Sequence, residues 1–148
     1  MKIVLPIIFL ISSCTASSDK TKSAHLDTIK TTETKPKIIS SSTNTLTGKI
    51  ESLELNYLVW GCACANWITD ADYEKYQGKI AEHCIFIEPA NETLVFPINF
   101  DPVKHKIKVK GQFYSEPDYP QGTIQTEEQL EKAKVFRYTK LEVVEKEN

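Results

Sequence analysis

The chain has 148 residues, with 18 Lys and Arg against 20 Asp and Glu and a formal net charge of −2. That length holds one domain and a tail rather than several domains. The near-neutral balance contains no basic block, which excludes the electrostatic footprint of a nucleic-acid-binding protein.

In chain order the first feature is an apolar run, Ile3 to Ile11, behind a single Lys2 and leading through Ile11-Ser12-Ser13 to Cys14. A helix needs ~20 apolar residues to cross a bilayer, so this run is too short to span one and fits the apolar part of an export signal. The run and its tetrapeptide resemble bacterial lipoprotein signals. The resemblance implies cleavage ahead of Cys14 and palmitate-type acyl chains on the thiol and the new amino group of Cys14, with residues 1–13 as signal peptide. Each buried methylene contributes ~0.8 kcal/mol, so two or more chains hold a protein stably on a membrane. The plainer alternative is an ordinary secretory signal cut nearby, with Cys14 left as a free thiol. Either reading places the rest of the chain outside the cytosol, away from nucleic acid.

Residues 14–45 are rich in Ser, Thr and Lys and carry no aromatic side chain, and Leu26, Ile29, Ile38 and Ile39 keep no sustained period. Such a segment cannot bury a core and is expected to be a disordered tether, with a reach on the order of 30 Å. Within it, Asp27-Thr28-Ile29 resembles the Asp-Thr-apolar acceptor of O-linked glycans in Bacteroidota, making Thr28 a glycosylation candidate. The residues after Cys14 lack the acidic cluster that resembles a surface-export signal in that phylum. The expected location is therefore the cell envelope, on the outer membrane facing the periplasm.

Residues 46–148 read as a β-rich domain. Leu53, Leu55, Tyr57 and Val59 alternate with Glu54, Asn56, Leu58 and Trp60, a strand with one apolar face. Cys84 to Glu88 and Thr93 to Pro97 are short apolar runs around Pro89-Ala90-Asn91-Glu92, which predicts a hairpin. Asp70 to Gln77 predicts a helical turn packed through Tyr73 and Tyr76. Ile107, Val109 and Phe113 alternate with Lys106, Lys108 and Lys110, whose charges discourage sheet-to-sheet pairing, and Gly111 marks a bulge or a close backbone approach. Thr126-Glu127-Glu128-Gln129 has capping-box spacing and predicts a short helix ending near Lys134. In the final strand, Val135 to Val144, the alternation slips by one near Lys140, which predicts a bulge.

Five strands with a long first strand and one short helix resemble a small OB-like barrel. The same order also suits an antiparallel sheet crossed by one helix. With its signal, the chain resembles small envelope lipoproteins of Bacteroidota carrying OB-like domains, a resemblance of architecture that carries no motif for an activity.

The chemistry concentrates in Trp60-Gly61-Cys62-Ala63-Cys64-Ala65-Asn66-Trp67, with a further thiol at Cys84 beside His83. In an oxidising compartment the plain expectation is a structural disulfide. Cys84 is expected to pair with Cys62 or Cys64, since a bridge inside Cys-x-Cys closes a tight ring. A loop of about 20 residues closed in this way contributes roughly 3 kcal/mol. The alternative is a metal site, with thiolates of Cys62, Cys64 and Cys84 suiting Cu(I), or zinc if an imidazole joins them. A thiol enzyme is the third reading, although the Cys-x-x-Cys spacing and a cation beside a thiol are lacking.

Other groups point to ordinary roles. Asp70, Asp72 and Glu74 lack the frame of a calcium loop. Glu116 to Pro120 reads as a rigid exposed loop, Trp60 and Trp67 as core packing, and no nucleophile, base and orienting acid fall together. The sequence thus predicts no enzyme and no resident cofactor. It predicts a membrane-held binding or accessory module whose partner is another envelope protein, with a copper or zinc carrier as the alternative.

Overall fold

Alternation sets the first strand, and the neighbouring strands follow from it. The computed structural model describes residues 37–40, 43–125 and 130–147. The expected signal peptide, Cys14 and Thr28 lie outside them. In β1 (Glu51–Tyr57) Leu55 is fully buried while Leu53 and Tyr57 pack against the same core, so every second residue turns inward.

Trp67 and Ile68 form β2, antiparallel to the end of β1. Two short helices follow, α1 (Asp70–Lys75) and α2 (Ile80–His83). Thr69 caps α1: its hydroxyl oxygen accepts from the Asp72 N–H at 3.1 Å, and acidic Asp70 and Asp72 sit in the first turn. Next come β3 (Phe86–Pro89), β4 (His105–Phe113) and β5 (Val135–Glu145).

The sheet order is β2-β1-β4-β5-β3, with β1, β4 and β5 antiparallel and β3 parallel to β5. The protein is mainly β, a five-stranded mixed sheet curved into a half-barrel. One bridge, Trp67 of β2 to Ile85 just ahead of β3, links the two edges, and there each N–H donates to the other's carbonyl. The parallel β3–β5 pair sets aside the wholly antiparallel alternative.

Two expected irregularities prove to be one. Lys110 stands opposite Lys140 but Gly111 opposite Tyr138, so Thr139 is the extra residue of a bulge, and its hydroxyl donates to the Lys110 carbonyl at 3.2 Å. Gly111 is required there because a Cβ would overlap the Arg137 carbonyl oxygen.

Three expectations need correction. Thr93 to Pro97 is not a strand: the Asn91 side chain takes the Thr93 N–H, and the segment instead turns Leu94 and Phe96 onto the core. The helix expected from Thr126 falls partly outside the described residues, and residues 130–134 are not helical because Ala133 bridges to Asp118. The helical turn expected from Asp70 forms as α1, and the second helix, α2, follows it ahead of β3. Finally, β4 is an inner strand, so Lys106, Lys108 and Lys110 cover a sheet face and guard no edge, and both Lys106 and Lys108 pair with Glu54.

The core gathers Leu55, Trp67, Ile85, Ile107, Val109, Phe136 and Tyr138. Residues 90–104 roof it from one side: Phe96 stacks on Trp67 at 5.6 Å between ring centroids, and the buried Tyr138 hydroxyl donates to the Leu94 carbonyl at 3.0 Å. The residues just before β1 join the domain, with the Thr47 N–H donating to Phe113 O, the Ser115 N–H to Thr45 O, and Ile38 bridged to Ile124.

Candidate functional site

The connection between β1 and β2 is held at its base by the Leu58 N–H, which donates to Asn66 O at 2.8 Å. Further out, the Trp60 indole N–H donates to Ala65 O at 3.1 Å, so the loop folds back on itself. Residues 61–64 are bent throughout, which brings the Cα atoms of Cys62 and Cys64 to 5.3 Å, inside the span a disulfide allows, and the two are bonded.

Cys84 is free and buried, which corrects the expected pairing with Cys62 or Cys64. The reason is local. Cys84 is the C-cap of α2, its thiol donates to Ile80 O at 3.4 Å, and it packs in a small cluster with Ala65 and Ile68. Burial pushes the Cys84 thiol pKa up, opposed by a hydrogen bond with the Trp60 indole.

The metal set expected from Cys62, Cys64 and Cys84 is not gathered, since two of its sulfurs are bonded to each other. Among the described residues no group of three His, Cys, Asp or Glu is placed to hold a metal ion. His83 stacks on Tyr76, with ring centroids 3.4 Å apart.

The loop forms one wall of a cavity of about 840 Å³. Its floor is apolar, with Leu55, Trp67, Ile68 and Ile85. Its rim is mixed in charge, with Asp72 and Glu82 on the helical side and Glu131, Lys132 and Lys134 opposite. Cys64 and Cys84 both line it. A floor without polar partners and a rim of both signs suit an occupant with an apolar centre and no strong net charge.

The connection between β4 and β5 supplies the far wall, and the sequence misjudged it. Asp118, expected on an exposed loop, is buried; its carboxylate meets Lys132 at 3.0 Å and its backbone bridges to Ala133. Tyr119 fixes the same segment by donating to Leu130 O at 2.8 Å. Glu88, also buried, accepts from the Tyr114 hydroxyl and from the Gln121 N–H, each at 2.7 Å. Burial first, and the Glu88 carboxylate second, hold the Tyr114 hydroxyl above its ordinary pKa. Only the placement of a Glu in a short apolar strand hinted at this node.

Trp67 is buried as expected, whereas Trp60, on the loop after β1, remains partly exposed. His105 is half-buried, and its Nδ1 accepts from the Asp101 N–H at 2.9 Å. No protein-family model, no curated protein and no solved structure matches the chain.

Proposed function

We propose that this chain is a non-enzymatic binding or accessory module of the cell envelope, held to the membrane by acyl chains on Cys14, and that a segment of another envelope protein seats in the cavity beside the Cys62–Cys64 loop. The observation that carries the reading is the cavity itself: an apolar floor on β1, β2 and Ile85 between the connection after β1 and the connection before β5. In OB-like barrels these two connections and the adjoining strand face are where ligands bind. The partly exposed Trp60 indole beside the cavity supplies the kind of aromatic anchor that dominates protein interfaces.

Two measurements test it. With Cys14→Ser the protein leaves the membrane fraction, and unchanged retention removes the anchored reading. A photo-crosslinking residue at position 60 captures one defined envelope protein while the same residue at position 108, on the lysine-covered face, does not. Equal capture at both positions removes the cavity as the docking site.

A further inference from the structure

Two cysteines, Cys64 and Cys84, line the same cavity, and binding alone does not call for that. Cys62 and Cys64 are bonded, yet Cys64 shares the cavity lining with the free Cys84, and Ala65, its immediate neighbour, belongs to the same buried cluster as Cys84. The Trp67–Ile85 bridge ties the segment that follows Cys64 to the segment that follows Cys84. The Trp60 indole folds the loop back beside this cluster by donating to Ala65 O.

We infer that Cys84 is an exchange partner for Cys64: the pairing Cys62–Cys64 interconverts with Cys64–Cys84, which leaves Cys62 as a free thiol at the surface. The step balances without an oxidant. Cys84, deprotonated, attacks the Cys64 sulfur; the Cys64–Cys62 bond breaks as the Cys64–Cys84 bond forms, and Cys62 leaves with the electron pair and takes up the proton that Cys84 released. One disulfide and one thiol stand on each side. The exchange moves the thiol from a buried position to an exposed one, since Cys84 is 3% exposed and Cys62 lies open in the loop.

Trp60 governs the step. Its hydrogen bond to Ala65 O holds the loop folded back on itself, and the burial that raises the Cys84 pKa keeps the attacking thiolate scarce. Opening the loop removes both restraints. The inference does not depend on the binding reading, because the sulfurs exchange whether or not a protein occupies the cavity.

The test uses the full chain carrying Cys14→Ser, oxidised and free of reductant, held at pH 8 with iodoacetamide and digested with trypsin. Cys62 and Cys64 fall in the fragment 50–75 and Cys84 in 80–104. Exchange yields these two fragments linked, with one alkyl group on Cys62. Trp60→Ala is expected to speed the appearance of that product about tenfold, and Cys84→Ser to abolish labelling of Cys62. A Cys62→Ser protein, oxidised in air, is expected to close the Cys64–Cys84 bond. A folded Cys62→Ser protein that keeps two free thiols overturns the inference. So does a wild-type digest in which fragment 50–75 stays internally bridged while only Cys84 is alkylated, or labelling of Cys62 that persists in Cys84→Ser.

Discussion

The β4–β5 side of the half-barrel and the β2–β3 side are held by different means. On the first side two long strands pair in register around a bulge and bury Ile107, Val109, Phe136 and Tyr138 between them. On the second, a two-residue strand meets Ile85 at one bridge, and short helices, a disulfide loop and the segment 130–134 surround a cavity. Stability is concentrated where the ladder is long, which leaves the cavity side free to carry polar and reactive groups. Local opening costs least where apolar contacts and ladder bonds are fewest.

The sharpest way to break this contrast is at Phe136, which is fully buried on the long-ladder side. Phe136→Ala is expected to cost about 3–5 kcal/mol in chemical denaturation, and a loss under 1 kcal/mol would mean that stability is spread evenly over the sheet. Gly111→Ala comes next, at roughly 3 kcal/mol, because the added methyl meets backbone that cannot give way. On the cavity side, replacing both Cys62 and Cys64 by Ala is expected to cost less than about 2 kcal/mol, since a bridge two residues apart closes only a small loop. A larger loss would show that the loop, and not the ladder, organises the fold.

The smallest effect tests the outer face. The hydrogen bond from Lys106, then its charge and Lys108, hold the Glu54 pKa below 4.5. A carboxylate with a depressed pKa contributes stability that is present above its unfolded pKa and is lost as pH falls through the folded one. Glu54→Gln should therefore melt slightly lower at neutral pH and show a shallower decline below about pH 4. Exposed ion pairs contribute little, so a change as large as that of Gly111→Ala would contradict the assignment.

The long-ladder side was also the legible side. The alternation of Leu53, Leu55 and Tyr57, and of Ile107 and Val109 against lysines, fixes both inward faces, and the slip near Lys140 together with Gly111 reports the bulge before any pairing is known. On the cavity side the helical turn from Asp70 and the strand after Cys84 were legible, but the contacts between them were not, because they are non-local. Thr126 to Gln129 carries local helix signals, yet the stretch that follows is drawn extended by Asp118, far off in sequence. Cys84 looked like the natural mate of the Cys-x-Cys pair, but the bends at residues 61–64 bring Cys62 and Cys64 together first. Asp118 carried no signal and Glu88 only its place in a short apolar strand, since their burial depends on Lys132, Tyr114 and Gln121, reached only after folding.

The strand β5 follows the other four in sequence, yet it lies between β4 and β3 and hydrogen-bonds to both. During synthesis the middle lane of the sheet thus stays vacant until Glu145 has emerged, and β3 has no long neighbour before then. Completion is a late, all-at-once event in synthesis: a product cut short before Val135 lacks the strand on which both flanks close, and proteases meet it as an open chain.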